Sequence, residues 1–344
     1  MSALLEESLN VVPYYSICPV FVVSHVALER GFLQEELDQV GAGLQTLESF
    51  AGDEGALVHA RHSAQLQIRD GGNVPAIWAR ADISDTVLLG TTNINQGGQI
   101  VVRVDSGIHT VQQLAGRRLG VSKSLDTRRV DWWRANSLRS LQLALELGGV
   151  ARDAVQFVDV VHGPQGARPA FRSKEERTLG LSFTPELGAL ARGEVDAIYS
   201  TQGRPEIYER TGEFKVIQDL SRAPDWTVRI ATTPYTLVAS RTLVEEHPQV
   251  VVAWLRANIR AARWAREAPL EAARIFHQAT YDATVEDVLR VIDGVDFTPS
   301  LSAQNLAAVR IGKDWLLDNG FISNDFDVHE WADGRFLAQA LSGL

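Results

Sequence analysis

One cysteine and one methionine occur in 344 residues, aromatic residues make up 8%, and cations are outnumbered, with Lys and Arg at 33 against Asp and Glu at 43. A single cysteine excludes an intrachain disulfide, so stability must come from a packed core. A net charge of −10 and a pI near 5.3 argue against a nucleic-acid surface or a polybasic membrane patch. Any bound anion must then be captured by a local cluster of donors. No run approaches the roughly 18 uninterrupted apolar residues of a transmembrane helix. Residues Met1 to Ser8 lack the basic and apolar regions of an export signal, so a cytoplasmic protein that avoids membranes is expected. No CxxC, HExxH, GxxxxGK[ST], GxSxG or dinucleotide fingerprint is found. His59 and His62, although three residues apart, lack neighbouring ligands, so neither a metal nor a cofactor is predicted.

What is present is an ordinary globular composition, 45% hydrophobic and 22% charged. The length suggests about two domains. Strand-like and helix-like periods alternate, which points to α/β lobes with mainly parallel sheets. Strands are read at 10–15, 86–90, 99–104, 118–121, 155–160, 193–199 and 216–221. Helices are read at 20–30, closed by Gly31, at 132–147 and at 186–192. Beyond Tyr235 a strand leads into a helical tail, in which Val250, Val251, Trp254, Leu255, Ile259 and Ala262 mark one buried face. Gly163 to Lys174 has no period and reads as a loop placed to act as a lid. The expected division is residues 1–105 plus 215–344 as one lobe and 106–214 as the other.

Two clusters carry chemistry. Cys18 lies where the β-branched segment gives way to Pro19, a residue suited to a first helical turn, so the thiol is expected between the carboxyl end of a strand and the start of a helix. A lone cysteine is equally a small buried hydrophobe, and that reading stays open. The second cluster is His59 with Arg69-Asp70-Gly71-Gly72-Asn73-Val74-Pro75. Arg69 can present two parallel N–H donors to an oxyanion, while Gly71 and Gly72 let backbone amides come close and Asn73 is placed to cap a helix. A solvated arginine beside a plain turn is the alternative. His25 is read as helix surface, and Trp132 and Trp133 as packing residues.

The segment Tyr15-Ser16-Ile17-Cys18-Pro19-Val20, and a histidine ten residues before an Arg-x-Gly-Gly-x-Val-Pro motif, resemble the aryl sulfinate desulfinases of bacterial dibenzothiophene desulfurisation, the 2'-hydroxybiphenyl-2-sulfinate desulfinase family. Leu114 to Ser122 and Gly193 to Ser200 add to the likeness, but are shared with solute-binding proteins for nitrate, sulfonate and taurine. The resemblance implies a two-lobed, type II periplasmic-binding-protein-like fold used as a monomeric, cofactor-independent enzyme. Its substrate would be a small aromatic sulfinate, converted with water to the arene and sulfite. Cys18 would be catalytic with His59 near its thiol, and Arg69, Gly72 and Gly71 would bind the sulfinate. Nucleophilic attack by a thiolate and proton donation by the neutral thiol both suit these residues. The chain departs from the family in a longer stretch between Cys18 and His59 and beyond Ser122. A non-enzymatic binding protein for a sulfonate- or nitrate-type anion is the competing function. A thiamine-pyrimidine enzyme on the same fold is disfavoured, because that group's cysteine-rich motif is missing.

Overall fold

The computed structural model describes residues 11–51, 53–92, 97–162, 185–201, 205–280 and 284–343. Two five-stranded sheets organise them. The first runs in the order Gln45–Thr46, Tyr14–Ile17, Gln67–Gly71, Tyr235–Ser240, Thr86–Thr92; the second runs Gln156–His162, Arg118–Ser124, Ala197–Ser200, Gln99–Arg103, Phe214–Asp219. In each, the strand next to one edge is antiparallel to both neighbours and the other four share a direction. The sheets are therefore mixed, and still predominantly of one direction.

Strands Gln99–Arg103 and Phe214–Asp219 both pair within the second sheet. On this pairing we propose that the lobes divide within 92–99 and 219–235. Composition changes gave no sign of this, because a strand's lobe is decided by its hydrogen-bond partners rather than by its own residues. Past residue 240 the chain is mostly helical. Pro248–Glu267 buries the predicted apolar face, with Val250, Val251, Trp254 and Leu255 fully enclosed against the first sheet. The tail also touches that sheet through bridges Leu88↔Ala332 and Thr91↔Ser300. Among the described residues no helix is long and apolar enough to cross a membrane. The loop read at Gly163 to Lys174 lies outside the described residues.

Local details at the amino-terminal strand differ from the sequence expectation. The strand is Tyr14–Ile17, shifted toward Cys18, and the following helix begins only at Ser24. Pro19 thus sits in a bend ahead of the helix, not in its first turn. The bend is held by backbone bonds from Val20 to Cys18 and from Val22 to Val20. Gly31, with φ of 76°, does close that helix.

Candidate functional site

Strand register places the first reactive group. Tyr14–Ile17 runs parallel to Gln67–Gly71, with Ser16 opposite Arg69 and Ile17 opposite Asp70. The next amide, that of Cys18, donates to the Asp70 carbonyl at 2.8 Å. This carries the thiol onto Gly71. A Cβ added at Gly71 would lie 2.2 Å from the Cys18 Sγ and 2.4 Å from its Cβ, so only glycine leaves room for the cysteine. The expected role for Gly71 was a turn near an anion; its observed contribution is the space it leaves for sulfur.

Arg69 is buried within the strand at 1% exposure, which rules out the solvated-charge alternative. Its Nη2 donates to Cys18 Sγ at 3.3 Å and its Nη1 to the Gly72 carbonyl at 3.0 Å. Its Nε has no partner among the described residues. Gly72 is the cap of helix Asn73–Trp78, and Asn73 is that helix's first residue, so Asn73 does not cap it. Among the described residues nothing lies within 4 Å of the position a Gly72 Cβ would occupy.

His59 comes from the helix Glu54–Arg61 and sets its Nε2 3.2 Å from Cys18 Sγ. Desolvation, then the charge of Arg69, then His62 and Arg129, holds its pKa well below the ordinary 6.5. The ring is neutral at physiological pH. His62, at a left-handed φ of 51°, pairs its Nε2 with the Gln67 carbonyl at 3.2 Å, whereas His59 sets its Nε2 against the thiol. The two histidines therefore do not face a common point.

Two supporting groups were not legible as site residues. His25 is not helix surface: its Nε2 lies 2.8 Å from the Cys18 carbonyl, and burial lowers its pKa to about 4, so it donates as a neutral ring. Beneath the strand, Ser24 Oγ donates to Asp70 Oδ2 at 2.6 Å, and Asn258 Nδ2 donates to Ser24 Oγ at 3.0 Å. Burial raises the Asp70 pKa to about 6 against the opposing effects of the Ser24 bond and Arg69. The available signal was a serine and a histidine inside the apolar stretch Val22 to Ala27, where each needs a polar partner.

From the other sheet, the loop after Arg118–Ser124 reaches over helix Glu54–Arg61. Arg128 pairs with Asp53 at 2.6 Å, and Arg61 donates twice to the Arg128 carbonyl, at 2.8 and 3.0 Å. This loop brings Arg129 close enough to act on His59 electrostatically. Trp133 is partly buried against the second core with its ring 5.5 Å from Tyr199, in keeping with a packing role, whereas Trp132 is 42% exposed.

No family model matches the chain. It is 28% identical to 2'-hydroxybiphenyl-2-sulfinate desulfinase of Rhodococcus erythropolis, covering 98% of this chain and 96% of that protein, with the same values for the Rhodococcus qingshengii protein of that name. In structure it matches a cysteine-to-serine variant of DszB in complex with biphenyl-2-sulfinic acid, with a TM-score of 0.75 at 25% identity over 97% of this chain and 99% of that one. A periplasmic sulfonate-binding protein, SsuA from Methylobacillus flagellatus, shares the fold at a TM-score of 0.71, with 17% identity over 97% of this chain and 94% of that one. The chain is similar, over nearly its whole length and in both sequence and fold, to 2'-hydroxybiphenyl-2-sulfinate desulfinase.

Proposed function

We propose that this protein is an aryl sulfinate desulfinase, a hydrolase that converts an aromatic sulfinate and water to the arene and sulfite, with Cys18 as the reacting group. The observation that carries the proposal is the convergence on one sulfur of a buried guanidinium with no carboxylate paired to it among the described residues and an imidazole held neutral. A binding protein needs the cation but has no use for a thiol placed against it. The desulfinase likeness of the whole chain points the same way. A monomeric, cytoplasmic enzyme that works without a cofactor goes with this proposal.

The electrostatics favour the neutral thiol as the acid. Transfer of its proton to His59 would create an imidazolium in a desolvated place already facing Arg69 and Arg129, the very form the surroundings disfavour. With its Nε2 protonated, His59 instead donates to Sγ, as Arg69 does, and leaves the S–H free to point at substrate. Arg69 then holds the sulfinate oxygens, and the thiol proton passes to the ring carbon bearing sulfur. The C–S electron pair returns to the ring, sulfur dioxide leaves, and the thiolate is held by the His59 and Arg69 donors. Water adds to sulfur dioxide to give sulfite, and one of the protons released restores the thiol.

The test is sulfite release from 2'-hydroxybiphenyl-2-sulfinate and smaller aryl sulfinates. Cys18→Ser is expected to lower kcat by about 10³-fold or more while still binding the sulfinate, since the group that reacts is gone. Tight binding without turnover by the unaltered chain would instead identify a receptor. Mass spectrometry of acid-quenched turnovers should find Cys18 unmodified; a sulfur-dioxide adduct on it would replace proton donation by nucleophilic attack.

A further inference from the structure

A second buried arginine has no counter-charge among the described residues. Arg139, on the helix Trp132–Leu147 of the second lobe, is 6% exposed, and among the described residues it has neither an ion pair nor a hydrogen bond. Desolvation pulls its pKa down only to about 10, so the guanidinium stays charged at neutral pH. Asn73, 3% exposed at the start of helix Asn73–Trp78 in the first lobe, likewise has no side-chain hydrogen bond among the described residues. A buried guanidinium and a buried amide without partners each destabilise the fold, so an occupant that accepts from both is favoured.

Both face one void. It is lined by Asn73, Asn136, Arg139, Gly312 and Trp315 among others, and leaves the centre of a water-sized particle about 10 Å³ to occupy. That is room for one such particle. The donors converge there: a Cβ built at Gly312 would lie 3.4 Å from Arg139 Nη1 and 3.9 Å from Asn73 Nδ2. Gly312 belongs to helix Ala303–Asp318, so the void joins the first lobe, the second lobe and the helical tail.

We propose that this void is a binding site for a single halide ion, chloride in the cell, which neutralises Arg139 and ties the two lobes to the tail. The chemistry selects the occupant. Guanidinium and amide N–H groups both donate, which calls for an acceptor, and a charged one offsets the guanidinium where a water would not. The room for a single small particle between these side chains suits a monatomic anion better than sulfite or a sulfinate. Asn73 follows Gly72 directly in the chain, so an ion here would brace the backbone that receives Arg69 without touching the reacting atoms.

The experiment is thermal unfolding of the full chain in gluconate buffer, titrated with chloride or bromide at constant ionic strength. A halide that binds only the folded state raises Tm, by about 2–5 °C near saturation. Gly312→Ala, whose added methyl group makes only ordinary contacts on a helix, is expected to fold and to lose the halide response by filling the void. Arg139→Met should lose it as well. Crystals soaked in bromide should show anomalous density within hydrogen-bond reach of Arg139 Nη1 and Asn73 Nδ2. An equal rise with gluconate, a halide response preserved in Gly312→Ala, a rise with sulfite alone, or water without bromide at the site would each overturn the proposal. Because sulfite release is not part of the readout, failure of the desulfinase assignment would not be mistaken for failure here.

Discussion

The two sheets have the same strand pattern, yet they treat charge in opposite ways. In the first, the strand Gln67–Gly71 is buried along its whole length while carrying Arg69 and Asp70, and Arg69 turns Nη2 to sulfur and Nη1 to a carbonyl but leaves its Nε without a partner among the described residues. In the second, the central strand Ala197–Ser200 carries no charge, and charged groups on and beside its neighbours stay near solvent and are matched: Arg118 with Asp196 at 2.9 Å, and Lys123 and Arg134 with Asp159 at 2.7 Å. A shared frame therefore does not dictate shared chemistry. Matched surface pairs contribute little to stability and bind nothing further, whereas an unmatched buried cation is held in readiness for an anion.

The largest effect follows from exchanging the two kinds of arginine. Arg69→Ala is expected to lower kcat/KM for an aryl sulfinate by about 100- to 1000-fold, the usual scale for removing a buried charge-assisted donor. Arg118→Ala should change it by less than about twofold, since that pair is exposed. Steady-state kinetics on both variants checks the contrast, and equal losses would end it.

Glycines sharpen the same comparison. Gly71→Ala drives a methyl group into Cys18, so activity should fall by about 10²-fold through misplacement of the thiol. Gly120 lies in the second sheet on Arg118–Ser124, the strand that corresponds to Tyr14–Ile17, where a Cβ would meet Val195 and Ile198 side chains at 3.0 and 3.2 Å. Gly120→Ala should therefore cost about 1–3 kcal/mol of stability by overpacking, with kcat unchanged. Denaturant unfolding alongside sulfite release separates the two outcomes.

Acid should loosen the first lobe before the second. His25 and His62, with pKa values near 4 and 3, are kept neutral, so the folded state takes up fewer protons than the unfolded chain below pH 6.5 and stability falls as pH drops through that range. Asp70 acts oppositely: its pKa of about 6 lies above the ordinary 3.8, so the folded state gains stability as pH falls from 6 toward 4. His25 and His62 alone outweigh Asp70, by on the order of 4 kcal/mol at pH 4, and the lowered pKa of His59 adds to the loss. In the second lobe, burial works to raise the Asp159 and Asp196 pKa values, but their cationic partners together outweigh it and hold both low, so their contribution is lost only as pH falls below the ordinary carboxylate range. Hydrogen exchange near pH 5 should show Gln67–Gly71 opening ahead of Arg118–Ser124; the reverse order would contradict this assignment of charge.

The elements that could be read from the sequence were those whose own residues impose a period. Trp132–Leu147 forms where its pattern placed it, and the stripe from Val250 to Ala262 faces the core. The meeting of Cys18, His59 and Arg69 was foreseen through motif spacing and family likeness, because the groups lie 41 and 51 residues apart and nothing local links them. Pro19 misled: its ring permits a helix start but does not compel one, and backbone bonds between Cys18, Val20 and Val22 made a bend instead. His25 and Asp70 were passed over because their importance lies in partners contributed by distant strands and helices. Arg139 gave no sign at all, since its isolation is a property of three packed elements.

The smallest effect tests how much the second lobe contributes to the first lobe's chemistry. Arg128 joins the lobes through Asp53, while its carbonyl receives Arg61 from the helix that carries His59. The Arg128 side chain is 47% exposed, so solvent screens its ion pair and the two backbone-directed bonds survive its removal. Arg128→Ala is thus expected to raise KM by about two- to fivefold through a loosened loop, with kcat held because His59 and Cys18 stay in register. A matching fall in kcat would mean that the loop, and with it Arg129, helps to set the His59 ring against the thiol. Chemistry would then be shared across the lobes instead of residing in the first alone.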